Sequence, residues 1–201
     1  FLDQIGFTSR PSQEAPRPTV DEVIPAYAPA PVVTTQVTGQ VMSFQRMSCF
    51  GAGTPVQTFS GPRPIETLAV GDRVLAQDPA TGLISYEPIL AVHHNPPSPT
   101  LKVDLGSEAI TSSVFHRFWI AGHGWKQARE LKPGDPIRTL RGIVRVASVS
   151  PEKVQPVYNL DVARARTFFV GKSVALVHDN SVPDFRAAPF DAAAPTEEKS
   201  P

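Results

Sequence analysis

The stretch Cys49-Phe50-Gly51-Ala52-Gly53-Thr54-Pro55-Val56 follows a long proline-rich segment and holds the only cysteine of the 201-residue chain. Two well-separated histidines come later, in Phe115-His116-Arg117-Phe118-Trp119 and in Val177-His178-Asp179-Asn180. A lone thiol at the first residue of a folded region, with distant histidines and a late Asp-Asn pair, indicates chemistry on the backbone. The pattern predicts that the chain acts on peptide bonds at the edges of its own folded segment.

Composition narrows the classes of partner. The chain has 19 basic and 19 acidic residues and therefore a formal net charge of zero. Balanced charge indicates neither nucleic acid nor an anionic membrane surface as an obligatory partner, and no apolar stretch approaches the roughly 18 residues of a membrane helix. One cysteine and scattered histidines lack the spacing of metal ligands, so we expect no metal and no cofactor. Because the chain begins at Phe1, we interpret it as a fragment of a longer protein.

Composition also divides the chain into three parts. Residues 1–48 contain six prolines and a Thr/Val tract without sustained periodicity, which predicts a proline-rich linker. Residues 181–201 are rich in Ala, Pro and charged side chains, which predicts a disordered tail. The remaining segment, residues 49–180, has the size of an ordinary domain and is predicted to fold.

The central segment is predicted to be all-β. Short runs rich in β-branched and aromatic residues alternate with turn signals, and we expect strands at residues 55–59, 73–77, 86–94, 100–105, 118–120, 143–150, 158–162 and 167–170. No long amphipathic helix is evident. Residues 127–131 are expected to form one helical turn, which Pro133 stops.

A short internal repeat accompanies these strands. Leu68-Ala69-Val70-Gly71-Asp72 reappears 63 residues later as Leu131-Lys132-Pro133-Gly134-Asp135. Because Gly and Asp are common in turns, two unrelated turns of similar chemistry are one explanation. Both copies lie between β-like runs, however, which favours a β domain made of two related halves.

The chemistry expected at the first edge concerns the Ser48–Cys49 peptide bond. A thiol on the residue after a bond can attack the preceding carbonyl and convert the amide to a thioester. A histidine must then protonate the departing nitrogen, and a hydroxyl or an N–H group must stabilise the oxyanion. Ser113 and His116, three residues apart, provide a hydroxyl and an imidazole that can converge across a bend.

The second edge carries a different reaction. A side-chain amide can attack its own backbone carbonyl and break the bond that follows. Asn180 can cyclise in this way and Asp179 less readily, while His178 is placed to polarise the carbonyl. Asp179 and Asn180 are nearly as well explained as polar residues that end the last strand.

Taken in order, these motifs resemble the Hint (hedgehog/intein) superfamily, and specifically its bacterial intein-like or pretoxin-type domains. The resemblance covers nearly all of residues 49–180 and rests on the ordered set of blocks at 49–56, 65–74, 113–119, 125–135, 157–162, 167–171 and 176–178. It implies a compact β horseshoe with two pseudo-twofold-related halves. It also implies autocatalytic processing through an N-to-S acyl shift at Ser48–Cys49 and a thioester, ending in cleavage or splicing.

The resemblance implies catalytic roles for Cys49, Ser113, His116, His178, Asp179 and Asn180. Three positions depart from the family pattern: Ser113 replaces the usual Thr, Arg166 stands where a late His is frequent, and Asp179 interrupts the usual His-Asn ending. We therefore expect the N-terminal step to be intact and the C-terminal step to be weakened.

Other interpretations of the same residues remain open. Cys49 could be a small buried hydrophobic residue and His116 a hydrogen-bonded core histidine. The alternative functions are a Cys/His hydrolase acting in trans, and a degenerate, non-catalytic Hint scaffold within a larger exported or surface protein. In the favoured interpretation the domain is a monomer that acts once, in cis, on its own flanking polypeptide.

Overall fold

The computed structural model describes residues 48–182 and 189–191. The predicted linker over residues 1–48, apart from Ser48, and most of the predicted tail over residues 181–201 lie outside the described residues. The described part of the chain forms thirteen β-strands and two short 3-10 helices, which confirms the all-β prediction. None of its helices is long and apolar enough to span a membrane.

The strands are numbered in chain order. They are β1 (Phe50–Gly51), β2 (Pro55–Thr58), β3 (Gly61–Pro64), β4 (Arg73–Gln77), β5 (Ile84–Asp104), β6 (Ala109–Ser113), β7 (Arg117–Ile120), β8 (Gly124–Gln127), β9 (Pro136–Thr139), β10 (Gly142–Arg145), β11 (Ser148–Val162), β12 (Thr167–Val170) and β13 (Ala175–His178). The 3-10 helices are Ile65–Thr67 and Ala128–Glu130. The second one confirms the helical turn expected before Pro133.

The two longest strands differ most from the sequence expectation. The separate strands expected at 86–94 and 100–105 are parts of one strand, β5, which has 21 residues. It pairs with β11 through register shifts between Pro151 and Val154 and between Gln155 and Val157. Prolines interrupt the sequence pattern because they cannot donate to a ladder, and such irregularities accommodate them without ending the strand.

The strands pair antiparallel in the order β10-β9-β7-β13-β12-β2-β4-β5-β11-β1-β6, with β3 on β2 and β8 on β7. The two-residue strand β1 lies between β11 and β6, where Phe50 pairs with Tyr158 and with Ser112. The Phe50 side chain is fully buried and meets Phe118 and Phe168 edge-on, at centroid distances of 6.2 and 6.0 Å. This packing fixes the backbone directly beside Cys49.

The internal repeat has a structural counterpart. The 3-10 helices begin at Ile65 and Ala128, which are 63 residues apart (128 − 65), as the sequence repeat requires. Gly71 and Gly134 both adopt a φ of 92°, a left-handed conformation that favours glycine. The two halves therefore contain the same turn at equivalent positions.

The aspartates of the repeat perform the same task in both halves. Asp72 Oδ2 accepts the Ala69 N–H at 2.9 Å, and Asp135 Oδ2 accepts the Lys132 N–H at 2.8 Å. A basic side chain nine positions earlier pairs with each carboxylate: Arg63 and Lys126. This agreement in hydrogen bonding favours two related halves over two unrelated turns.

Candidate functional site

Cys49 lies directly before β1, and its side chain has no exposure to solvent. Asn95 Nδ2 donates a hydrogen bond to Cys49 Sγ at 3.2 Å. Burial raises the pKa of the thiol to about 12, although the Asn95 amide works in the opposite direction. The resting site therefore holds a protonated thiol at neutral pH.

The Ser48–Cys49 peptide bond is held by hydrogen bonds on both sides. The Cys49 N–H donates to Ser113 Oγ at 2.8 Å, and the Ser113 N–H donates to the Cys49 carbonyl at 2.8 Å. On the other side of the bond, Asn159 Nδ2 donates to the Ser48 carbonyl oxygen. A buried donor on that oxygen is the contact that an oxyanion formed there would require.

Asn159 lies in β11 and is fully buried, and the sequence alone predicts no role for it. Its Oδ1 accepts the Leu160 N–H at 2.8 Å, which fixes the end of the amide that faces Ser48. The available signal was an amide between Tyr158 and Leu160 in a predicted strand, since a polar group that is buried there requires a partner. Nothing local in the sequence identifies Ser48 as that partner.

His116 contacts the residues on both sides of Cys49. Its Nδ1 is 3.1 Å from Ser48 Oγ, and its ring lies 3.8 Å from the Phe50 ring, centroid to centroid. Complete burial lowers the pKa of His116 well below its ordinary value of 6.5, so the imidazole is neutral at neutral pH. His116 Nε2 is buried and has no hydrogen-bond partner within the described ranges.

A turn brings Ser113 and His116 to the same bond. β6 ends at Ser113, and the His116 N–H donates to the Ser113 carbonyl at 3.1 Å. In a continued strand, residues three apart would face opposite sides, whereas this turn lets both side chains approach Ser48 and Cys49. The structure thus brings together three sequence-predicted residues, Cys49, Ser113 and His116.

At the other edge, His178 faces the bond between Asp179 and Asn180. Its Nδ1 is 3.1 Å from the Asp179 carbonyl oxygen and 3.3 Å from Asp179 Oδ1. The ring packs edge-on against Trp125, with centroids 4.9 Å apart. His178 is therefore placed on the carbonyl that Asp179, not Asn180, would attack.

The Asp179 carboxylate is already occupied by hydrogen bonds. It is buried, and it accepts the Val162 N–H at 3.0 Å and the Ser181 N–H at 2.8 Å, together with the Ser181 hydroxyl. Burial acts to raise the pKa of Asp179, but hydrogen bonds from His178, Ser181 and Val162 outweigh it and lower the pKa below 3.8. An ionised carboxylate held in this way is poorly suited to cyclise.

Backbone hydrogen bonds involving Asn180 and Arg166 also hold the C-terminal edge in place. The Asn180 N–H donates to the Leu160 carbonyl at 3.0 Å, and the Asp179 N–H donates to the Arg166 carbonyl at 2.9 Å. Arg166 itself is exposed and has a left-handed φ of 54°. Adjacent residues of β11 therefore contact both edges of the domain, because Asn159 binds Ser48 and Leu160 binds Asn180.

The remaining histidines make other contacts. His93 pairs with Asp161 at 3.1 Å, His94 packs against Tyr158, and His123 bonds within its own turn. Within residues 48–182 and 189–191, no group of three or more His, Cys, Asp or Glu residues is arranged to hold a metal ion.

The family of this chain is shown by its sequence. A family model described as the pretoxin HINT domain matches residues 55–180. The chain belongs to the pretoxin Hint family. The matched region of this Hint domain begins six residues after Cys49 (55 − 49) and ends at Asn180. No curated protein matches the sequence.

Solved structures similar to this Hint domain share its fold. A bacterial intein-like domain from Clostridium thermocellum is 31% identical and superposes with a TM-score of 0.63, covering 66% of this chain and 99% of that domain. A DnaB intein from Synechocystis is 17% identical, with a TM-score of 0.59 and coverage of 67% and 99%. These likenesses confirm the Hint-like fold, and the family is one associated with autoprocessing.

The C-terminal edge of this Hint domain yields a first prediction. Asp179→Asn restores the His-Asn ending that is usual in the family and replaces an ionised carboxylate with an uncharged amide beside the carbonyl that His178 contacts. We expect slow scission at the 179–180 bond, which releases residues 180–201. Intact-mass analysis during incubation at neutral pH measures it.

Asp179→Ala is the matched control, because it also removes the carboxylate but supplies no group that can cyclise. Scission in both variants, or in neither, would contradict the assignment of His178 to this bond. In the unmodified chain the lowered pKa of Asp179 keeps the carboxyl ionised, so scission here should rise only as the pH falls below 3.8.

Proposed function

We propose that this domain cleaves its own chain at the Ser48–Cys49 bond through an N-to-S acyl shift. The observation that carries the proposal is the set of side-chain contacts around this one peptide unit. Ser113 accepts its N–H, Asn159 donates to its carbonyl oxygen, and His116 contacts the side chain of Ser48. A bond in an ordinary strand would be paired with backbone groups, whereas this one is surrounded by side chains of catalytic types.

The proposed step is an isomerisation. Cys49 Sγ attacks the Ser48 carbonyl carbon, a thioester forms between Ser48 and Sγ, and the carbon–nitrogen bond breaks. The nitrogen of Cys49 becomes a free amine, and the proton it gains replaces the one that the thiol loses. Atoms and charges therefore balance without a further reactant.

His116 is the group proposed to move that proton. A thiol with a pKa of about 12 attacks only when a base assists it, and a neutral imidazole beside the bond can serve as that base. Because burial disfavours the charged imidazolium, the ring passes the proton on to the departing nitrogen rather than keeping it. In the resting site, Ser48 Oγ lies 3.1 Å from the Nδ1 atom of this ring.

Asn159 is the proposed oxyanion donor. As sulfur attacks, the Ser48 carbonyl oxygen gains negative charge, and the Asn159 amide already points at it. The donor is buried, so its interaction with developing charge is stronger than in water. Ser113, which the sequence suggested for this role, instead lies on the nitrogen side of the bond, where it orients the Cys49 N–H.

The geometry favours cleavage over splicing. The amide side chain at the C-terminal edge belongs to Asn180, whereas His178 contacts the carbonyl of Asp179, whose carboxylate is ionised and hydrogen-bonded. We propose that the thioester is released by water or by an external nucleophile. Ligation of the two flanks would need a C-terminal step that these contacts do not support.

Two alternatives are separated by specific observations. A hydrolase acting in trans needs an accessible nucleophile, but the Cys49 side chain is fully buried beside the chain's own Ser48. A non-catalytic scaffold is favoured by the same burial, which raises the thiol pKa to about 12. Spontaneous scission in cis distinguishes the proposal from both.

A reporter domain fused before Phe1 gives the second prediction. We expect scission at Ser48–Cys49 that is accelerated by an added small thiol, because thiols exchange with thioesters. Cys49→Ala should abolish it, and Cys49→Ser should slow it, because an alcohol is a poorer nucleophile and leaving group at neutral pH. Intact mass and gel analysis over time measure the reaction.

The outcomes separate the three functions. Scission at the unmodified rate in Cys49→Ala would refute the acyl shift. Cleavage of added peptides, with the fusion left intact, would support the hydrolase. A fusion that stays folded and intact for days, with and without thiol, would support the scaffold.

A third prediction concerns His116. His116→Gln keeps a side chain that can hydrogen-bond to Ser48 Oγ but cannot exchange a proton near neutral pH. We expect thiol-dependent scission to fall by about 10²–10⁴-fold, measured below the Tm of the variant. His93→Gln is the control, because His93 pairs with Asp161 and not with Ser48, and this variant should cleave at the unmodified rate. A His116→Gln chain that is less stable but equally fast would make His116 a core residue.

A fourth prediction compares two amides beside the reacting groups. Asn159→Ala removes the donor on the Ser48 carbonyl and should slow thioester formation by about 10²–10³-fold. Asn95→Ala removes the donor on Cys49 Sγ and should slow the reaction less, because it removes only a hydrogen bond that lowers the pKa of the thiol. Rates of thiol-induced scission in both variants give the comparison, and a larger loss in Asn95→Ala would remove the oxyanion role from Asn159.

A further inference from the structure

Three residues beyond the C-terminal edge pack against the β domain. The Phe190 ring stacks on Trp119, with centroids 5.3 Å apart and an interplanar angle of 22°. Both carboxylate oxygens of Asp191 accept the Trp119 indole N–H, at 3.1 and 3.2 Å. Neighbouring residues of the tail thus use the face and the edge of the same indole.

The absence of a side chain at Gly82 leaves space for the Phe190 ring. Gly82 has a φ of +75°, and a Cβ atom there would come within 2.7 Å of Phe190 Cδ2. The ring therefore occupies space that any side chain at position 82 would fill. A Cβ atom on Gly124 would lie 3.6 Å from Pro189 Cγ, which is ordinary contact.

Polar and charged groups beside the Phe190 ring complement Phe190 and Asp191. The Arg138 guanidinium lies 5.5 Å from the Phe190 ring centroid, within the range of a cation–π contact. Trp119 is almost fully buried, and a buried indole N–H needs an acceptor, which the Asp191 carboxylate supplies. An aromatic side chain followed directly by an acidic one satisfies both groups.

We propose that Gly82, Trp119, Gly124 and Arg138 form a peptide-binding site, here called the tail site, which recognises the sequence Pro-Phe-Asp. Its occupant in cis is the chain's own segment 189–191. The ligand class is a peptide in which proline precedes an aromatic residue and an acidic residue follows it. The tail site is separate from the Ser48–Cys49 chemistry and does not depend on it.

The tail site has a consequence for the C-terminal edge. Trp119 packs edge-on against Trp125 at 4.8 Å, and Trp125 packs edge-on against His178 at 4.9 Å. A continuous series of ring contacts therefore joins Phe190 to His178. Residues 189–191 bind the domain through non-covalent contacts. If the chain is cleaved at the C-terminal edge, the released segment therefore stays bound to an extent that its affinity for the tail site determines.

The test uses the full chain labelled with ¹⁵N at its two tryptophans, Trp119 and Trp125. Phe190→Ala and Asp191→Ala should each shift the indole N–H signal of Trp119 strongly, because one removes the stacked ring and the other the acceptor. Phe185→Ala is the matched control, since it removes the same side chain from Pro183-Asp184-Phe185, where the acidic residue precedes the ring. An equal shift in Phe185→Ala, or none in Phe190→Ala, would overturn the proposal.

Addition in trans tests recognition itself. A synthetic peptide of residues 182–201, titrated into the full-length Phe190→Ala chain, should return the Trp119 signal to its original position in a saturable way. The same peptide with residues 190 and 191 exchanged should bind at least about tenfold more weakly, because ring and carboxylate no longer meet their partners. Equal binding of the two peptides, or no binding of the first, would contradict a sequence-reading site.

Discussion

Insertion of the Phe50 side chain into the core is the interaction on which the rest of the site depends. Strand β1 has only two residues, too few to be stable through its own backbone pairing. Its position comes instead from a buried ring that touches Phe118, Phe168 and His116. Because Cys49 immediately precedes that ring, the packing that closes the core also sets the position of the peptide bond before it.

Burial of this bond has two opposite effects on the proposed chemistry. It makes the resting groups unreactive, since it raises the pKa of the Cys49 thiol and lowers that of His116, so that both are uncharged. It also strengthens every hydrogen bond to charge that develops during the reaction, and it restricts water. The proposed reaction fits such a site because its proton stays within the site, moving from sulfur to nitrogen. No net charge has to enter or leave.

The same strand arrangement explains why the two edges are close to one another. Asn159 and Leu160 are consecutive in β11, and they bind Ser48 and Asn180 respectively. A single strand thus positions both ends of the domain. The chemistry proposed for the two ends is nevertheless unequal, because hydrogen bonds lower the pKa of the Asp179 carboxyl, keep it ionised and leave it poorly suited to cyclise.

Local patterns in the sequence were sufficient for the all-β class and for the repeated Gly-Asp turns. They also singled out Cys49, Ser113 and His116, which lie beside one peptide bond and whose catalytic roles stay predictions. Each of these depends on spacing within a few residues, or on a match of ordered motifs. Asn95 and Asn159 could not be assigned, because their partners lie 46 and 111 residues away and are defined only by strand register. The contact between Phe190 and Trp119 could not be predicted either. Phe190 belongs to residues 181–201, whose composition predicts disorder, and the three residues that bind the domain are too few to change that composition.

Trapping of the Ser48–Cys49 linkage by hydroxylamine tests the central claim most directly, because hydroxylamine cleaves a thioester under mild conditions that leave amides intact. The folded, full-length chain is incubated at neutral pH with hydroxylamine, and its fragments are identified by intact mass. The acyl shift predicts one fragment that ends in a hydroxamate at Ser48 and another that begins with Cys49, carrying a free amine and a free thiol. A folded chain that remains whole in hydroxylamine, with no fragment beginning at Cys49, would contradict it.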